Sequence, residues 1–361
     1  MEKKLRVGVI GATGYVGQRF ITLLDNHPRF DCVALMASPR SAGKPYEEAV
    51  AGRWKIDAEM PEYAKRLIVM SSDDIEALCE KVDFVFCAVD MKKDEIRALE
   101  ERIAKLETPV ISNNSANRWT KDVPMMVPEI NSDHAAIIEK QRERLGTKRG
   151  FIAVKPNCSI QSYVPALTPL LSFGIEKISV CTYQAISGAG KTFQDWPEMV
   201  GNMIPYIGGE EEKSEKEPLK VWGHIEGNEI ICANKPVISA QCYRVAVQEG
   251  HTAAVSVSFT KKPTKEEMIS AWKNYEGEPQ RLHLPHAPEH FLRYIDEDNR
   301  PQPALDAMYE GGMGVSIGRL REDNLFDYKF TCLSHNTLRG AAGGAMLTAE
   351  LLEAKGYLQA K

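Results

Sequence analysis

The chain has 361 residues, 43% of them hydrophobic and 26% charged, with a formal net charge of −5; this is the profile of a soluble globular protein long enough for two domains. Its longest apolar runs, VGVI and FVFCAV, fall far short of the ~20 residues that span a bilayer, and the lack of a long basic run gives no footprint for nucleic acid. A small molecule is the expected partner, and an opening that enters a strand without a secretory h-region makes the cytoplasm the expected setting.

In chain order, β-rich runs alternate with amphipathic stretches: LRVGVI (5–10), FDCVALMA (30–37), DFVFCAV (83–89) and TPVISN (108–113). The alternation predicts an α/β, Rossmann-like doubly wound sheet. Directly after the first run, GATGYVG (Gly11, Gly14, Gly17) leads into QRFITLLDNH, whose apolar residues share one helical face. Glycines let such a turn approach a pyrophosphate, and free N–H groups at the helix start supply the positive end. Gly11, Thr13, Gly14, Tyr15 and Val16 are therefore candidate dinucleotide contacts.

The tip of the second strand reads ASPRSAG, which puts Ser38, Arg40 and Ser41 where an NAD enzyme carries an acidic residue. Asp31 stands at the other end of that strand. A guanidinium with two hydroxyls suits a 2′-phosphate, so NADP is the expected cofactor. Residues 1–157 form the expected NADP-binding domain.

From Cys158 the strands lengthen and lie closer together: ISVCTYQAIS (178–187), VISAQCYRVAV (237–247) and TAAVSVSFT (252–260). They predict an α+β catalytic and dimerisation domain over 158–335. EGEPQRLHLPHAPEHFLRYIDEDNRPQP (276–303) is dense in proline and charge and reads as a surface excursion. His283, His286 and His290 within it resemble a metal cluster, but Pro285 and Pro288 break the helix that would align them, so no metal is expected. NTLRGAAGGAMLTAELLEAKG (336–356) reads as a small-residue helix stopped at Gly356, and 336–361 would return to complete the first domain.

The eight cysteines include no CxxC pair, which argues against a disulfide framework or a thiolate zinc site. Cys158, in VKPNCSIQSYVPALTPLL (154–171), is expected to be the first or second residue of a helix, whose positive end would favour a thiolate. Asn157 or Ser159 would cap that helix, and Pro165 and Pro169 require it to bend or end early. His251, heading the strand TAAVSVSF, is the best-placed base among eight histidines.

Taken together, GATGYVG, ASPRSAG, SNNSANRW, PNCSIQ, QAISGAG and CYRVAVQEGH, in that order, resemble aspartate-semialdehyde dehydrogenase, most closely its archaeal and fungal branch, over nearly the whole chain. The resemblance implies an NADP-dependent phosphorylating semialdehyde dehydrogenase of lysine, threonine and methionine biosynthesis. It makes Cys158 the nucleophile, His251 the acid/base and Gln184 the residue that orients the thioester. It assigns Arg244 to the substrate α-carboxylate, Arg118 to the phosphate, and Glu210, Lys213 and Asn157 to the substrate, with the choice among three consecutive glutamates open. Asn336 would meet the nicotinamide carboxamide, with Ser187 and Gly188 beside the ring. A homodimer or homotetramer is implied as well. Two alternatives stand beside it: an acyl-CoA or acyl-phosphate reductase of the malonyl-CoA or N-acetylglutamyl-phosphate type, and a non-catalytic NADP sensor with a structural Cys158.

Overall fold

The computed structural model describes residues 3–361. Its first sheet holds β1 (Leu5–Ile10), β2 (Phe30–Ala37), β3 (Val69–Ser71), β4 (Phe84–Cys87), β5 (Val110–Ser112) and β6 (Ile152–Val154). All are parallel, in the order β3-β2-β1-β4-β5-β6. Strand order reverses between β1 and β4, which opens a crevice at their carboxyl ends. The helix Tyr15–Leu23 starts there and buries Gly17, Phe20 and Ile21. β3 and β6, three residues each, are too short for an alternation to announce them.

The second sheet begins with β7 (Ile175–Gln184) and β8 (Met203–Ile204). A small separate hairpin follows, β9 (His224–Glu226) with β10 (Glu229–Ile231), and then β11 (Val237–Val245), β12 (His251–Phe259), β13 (Leu292–Ile295), β14 (Val315–Glu322) and β15 (Tyr328–Ser334). The seven-stranded sheet is mixed, in the order β13-β14-β15-β12-β7-β11-β8. β12 alternates strictly between buried and half-buried residues, as expected of a sheet with one packed face. The packed face is covered by helices, and Trp272 sits wholly buried against Phe330. The open face carries Ser179, Tyr183, Val237, Ser239 and Gln241.

Segment 276–303 is more than the surface excursion its composition suggests. Leu284, Phe291 and Leu292 are buried, and β13 pairs in parallel with β14 at the sheet edge. A few apolar anchors are enough to hold a stretch whose average is polar.

After β15 the chain returns to the first sheet. A π-helical turn, Leu338–Ala342, leads into the helix Gly343–Ala354, buried from Gly343 through Leu352, and packs on the helix Tyr15–Leu23 and on β5. Glycine keeps the junction of turn and helix tight: a Cβ at Gly344 would lie 2.5 Å from the Arg339 carbonyl oxygen of the preceding turn. Gly356, with φ +81°, ends the run.

Arg339 anchors the return. Its guanidinium is fully buried, forks onto the Glu129 carboxylate at 2.9 and 2.5 Å, and donates from Nε to the Met313 carbonyl. Replacing only one member strands the other charge in a dry site, so Arg339→Met is expected to lower stability by about 3–5 kcal/mol. Urea unfolding followed by tryptophan fluorescence measures this, and an unchanged midpoint would contradict it.

Candidate active site

The Cys158 loop is shaped by its neighbours. The Asn157 Oδ1 accepts from Ser159 N at 2.7 Å and from Ser159 Oγ at 2.6 Å, closing the turn ahead of the helix Ile160–Leu167. That helix ends before Pro169, which opens a 3-10 turn instead. The Cys158 Sγ lies 3.4 Å from the His251 Nε2, because β12 starts at His251 beside the end of β7. Gly340 of the returning segment leaves the sulfur its room: a Cβ there would sit 2.9 Å from the Cys158 Cβ.

The His251 ring has a defined tautomer. Its Nδ1 accepts the Ala185 N–H at 3.1 Å, so the neutral imidazole carries its proton on Nε2, facing the sulfur. Burial first, and then the Arg244 and His335 charges, hold the ring's pKa well below the ordinary value. Gly188 packs over both groups, and a Cβ there would meet the Arg244 Nη1 at 2.9 Å and the His251 Nε2 at 3.0 Å.

Two guanidiniums flank the sulfur. Arg118, on the loop after β5, donates to the Lys155 carbonyl at 3.1 Å and to Glu217 at 2.9 Å. The loop itself is tied down by the buried Glu100, whose carboxylate accepts from Ser112, Asn114 and Asn117. Arg244, at the end of β11, donates to the Ala185 carbonyl at 2.6 Å. Both are buried.

The helix Glu210–Val221 separates the three consecutive glutamates by geometry. Glu210 is buried and accepts from the Asn157 side chain at 2.9 Å, from Lys213 at 2.8 Å and from Gln184 at 3.3 Å. Glu211 accepts from the Cys242 N–H, and Glu212 pairs with Lys216 on the outside. Beside this helix a cavity of about 500 Å³ is lined by Lys93, Ser115, Trp119, Lys213 and Glu217.

Burial pushes the Cys158 thiol above its ordinary value and Glu210 adds to the rise, while Lys155, Arg244 and Arg118 pull the other way. The lowering expected from a helix end is outweighed here: the sulfur sits ahead of the first helical residue, in dry surroundings. Removing the Glu210 charge while keeping its shape, as Glu210→Gln, is therefore expected to move the pH profile of iodoacetamide alkylation to lower pH. An unmoved profile would dissociate the two groups.

A second cavity, about 630 Å³, lies along the crevice between the sheets and is lined by Thr13, Gly14, Tyr15, Val16, Lys55, Asn113, Gly190 and Asp195, among others. The turn fits a dinucleotide. Gly11 has φ +83° and a Cβ there would strike the Ala88 carbonyl oxygen at 2.2 Å; one at Gly17 would strike the Gly11 oxygen at 2.2 Å. No side chain caps the helix behind the turn, which leaves its N–H groups for an anion. Both amide atoms of Asn113 are buried without a partner, an open demand for a polar ligand.

Beyond it, at the tip of β2, Ser38 and Arg40 are exposed while Ser41 is buried and accepts from Arg53 at 3.4 Å. At the other end of the cleft Asn336 donates to the Ser187 Oγ at 2.8 Å and accepts from Gly250 N at 2.8 Å.

Lys155, Glu217 and Asn113 belong to this site although motif reading passes over them. Lys155 is buried, and desolvation, helped by Arg118, pulls its ammonium down to about 7. Glu217 stands seven residues after Glu210, two helical turns along the same face, a spacing the sequence does carry.

Among the described residues, one histidine and carboxylate group has ligand atoms close together: His27, His286 and Glu350. The His27 Nδ1 accepts from the N–H groups of Arg29 and Phe30, which puts its proton on Nε2, 2.9 Å from Glu350. His286 donates to the same carboxylate oxygen at 2.5 Å. The nitrogens that would bind a metal carry protons, so this triad ties the returning helix to the first domain.

A family model described as semialdehyde dehydrogenase, NAD binding domain, matches residues 6–138, and one described as semialdehyde dehydrogenase, dimerisation domain, matches residues 167–339. Aspartate-semialdehyde dehydrogenase from Methanothermobacter thermautotrophicus is 42% identical over 351 residues, covering 96% of this chain and 99% of its own. The Schizosaccharomyces pombe enzyme of that name is 41% identical, covering 98% and 99%. The crystal structure of aspartate semialdehyde dehydrogenase with NADP from Candida albicans superimposes with a TM-score of 0.86 at 37% identity, covering 98% of this chain and all of that one. With a cysteine–histidine pair between two guanidiniums and a glycine turn opening the cleft beside it, the chain belongs to the aspartate-semialdehyde dehydrogenases, oxidoreductases that act on an aldehyde group.

Proposed function

We propose that the chain interconverts β-aspartyl phosphate and aspartate semialdehyde with NADP, through a thioester on Cys158. The observation that carries this reading is the 3.4 Å approach of the Cys158 Sγ to the His251 Nε2, with Arg118 and Arg244 both buried beside it. Gly11, Thr13, Gly14, Tyr15 and Val16 would hold the cofactor pyrophosphate, Ser38, Arg40 and Ser41 the 2′-phosphate, and Ser187, Gly188 and Asn336 the nicotinamide. When bound in its reduced form, NADP supplies the hydride.

In the reductive direction the Cys158 sulfur, as thiolate, bonds to the acyl carbon and the carbon–oxygen bond to phosphate breaks. Phosphate leaves beside Arg118, carrying the negative charge the sulfur brought. Arg244 grips the α-carboxylate, and Glu210 with Lys213 and Asn157 receives the amino acid end, so a small anionic substrate has one orientation. Gln184 steadies the thioester. His251 works at the carbonyl oxygen: its Nε2 proton faces the oxyanion formed when sulfur adds, and faces it again in the thiohemiacetal whose collapse re-forms the carbonyl and returns the electron pair to sulfur. An ammonium arriving at Glu210 would relieve the charge that raises the Cys158 thiol, coupling substrate binding to nucleophile activation.

A homodimer through the open face of the seven-stranded sheet fits its exposed Tyr183 and Val237 and the stacking of Tyr183 on Tyr243. A reducing, cytoplasmic setting fits eight free cysteines. The test is oxidation of aspartate semialdehyde with NADP, run in parallel with phosphate and with coenzyme A as acceptor. Phosphate-dependent NADPH formation is the expected result; coenzyme A dependence would favour the acyl-CoA reductase reading.

A further inference from the structure

Glu249 lies in the turn between β11 and β12, two residues before His251, and the mechanism above gives it no part. Its carboxylate gathers donors from three separate segments. Oε1 accepts from the Tyr15 hydroxyl at 2.7 Å and from Arg19 at 3.2 Å, both on the helix behind the glycine turn. Oε2 accepts from the Ser187 Oγ at 2.8 Å and from the Thr337 Oγ1 at 3.4 Å. A carboxylate offers about four lone-pair positions, and all are taken.

The proton count makes this more than a tether. Ser187 has one hydroxyl hydrogen, and a carboxylate that only accepts claims it. The Ser187 oxygen is thereby left to accept, and it takes an Nδ2–H of Asn336 at 2.8 Å. At the other end of the same amide, Oδ1 accepts the Gly250 N–H at 2.8 Å. The Asn336 amide is thus oriented from both sides, with one N–H and one oxygen lone pair left over. A primary carboxamide presents the complementary pair.

We propose that Glu249 is a positioning residue for the nicotinamide: it sets the donor and acceptor sense of the Ser187–Asn336 pair and ties that pair to Tyr15 and Arg19 on the helix that opens the cleft. The inference rests on the reading that Ser187 and Asn336 face the nicotinamide. Glutamine at 249 keeps the shape but offers an N–H in place of one acceptor. It then competes with one of its four donors, or forces the Ser187 hydrogen round toward Asn336.

Calorimetric titration with NADP and with 2′,5′-ADP, which keeps the adenosine, the 2′-phosphate and the first phosphate of the pyrophosphate but no nicotinamide, tests this on the whole 361-residue chain. Glu249→Gln is expected to weaken NADP about tenfold and to change 2′,5′-ADP by less than about twofold. Glu249→Asp, which keeps the acceptor character, is expected to recover part of the loss. Equal weakening of both ligands would mean that Glu249 merely holds the fold together, and no weakening of either would mean that it plays no part; each overturns the proposal. Asn336→Ala separates the levels. If it weakens NADP while Glu249→Gln does not, only the inference falls; if it leaves NADP untouched, the nicotinamide reading of this corner falls and takes the inference with it.

Discussion

Cys158→Ala is expected to lower turnover by ~10⁴-fold or more while leaving NADP affinity at the parent value. The neighbouring groups are otherwise engaged: Ser159 is turned into Asn157 by a 2.6 Å hydrogen bond, the Lys155 amine is tied to the Pro156 carbonyl, and the His251 ring presents a proton to the site rather than a lone pair. The substitution removes one sulfur and keeps the Cβ that packs against Gly340, so the surrounding segments have little reason to move. Steady-state assay of aspartate semialdehyde oxidation gives the first quantity and calorimetry the second. Turnover within tenfold of the parent would rule out the covalent step.

Arg244→Lys is expected to cost about 10²-fold or more in kcat/KM for aspartate semialdehyde, with the KM for phosphate little changed. The Arg244 guanidinium spends one edge on the Ala185 carbonyl at 2.6 Å, and the N–H of that residue fixes the His251 tautomer. On the proposed reading it would hold the substrate with one face while its other holds Ala185, the residue whose N–H meets the histidine. An ammonium is a point donor and serves one of these at a time. On the proposed reading phosphate meets Arg118, on the loop after β5 rather than on β11, which is why its KM reports separately. Equal losses on both substrates would mean that the whole site had shifted, and unchanged kinetics would remove Arg244 from it.

Much of the molecule was legible from residue order. β1 and β2 fall on the runs LRVGVI and FDCVALMA residue for residue, because a buried parallel strand is a continuous apolar run bounded by turn residues. The strand after Gly250 was visible as strict alternation. β3, β6 and the last three strands were not read, since three residues carry no period and β13 hides among prolines and charges. Within the site, Cys158, His251, Arg118 and Arg244 are separated by up to 133 positions in the sequence; Cys158 and His251 stand out as nucleophile and base from their own contexts, whereas only the resemblance joins the two arginines to them. Lys155 and Glu217 were passed over for a physical reason: a buried charge looks like any surface lysine or glutamate until its surroundings are known. The tautomer of His251 was out of reach as well, since it depends on a backbone N–H contributed by another strand.

The returning helix Gly343–Ala354 makes the first domain discontinuous, with β1 to β6 before the whole second sheet and one of its packing layers after it. A chain leaving the ribosome exposes the underside of that dinucleotide fold throughout synthesis of everything between. One packing layer of that core is thus missing until the second sheet has been made and the late helix has docked, and a chain truncated before Gly343 is expected to leave the first domain with an uncovered apolar face. The same long-range closure predicts slow maturation, since the contacts that finish the first core are among the most distant in the chain.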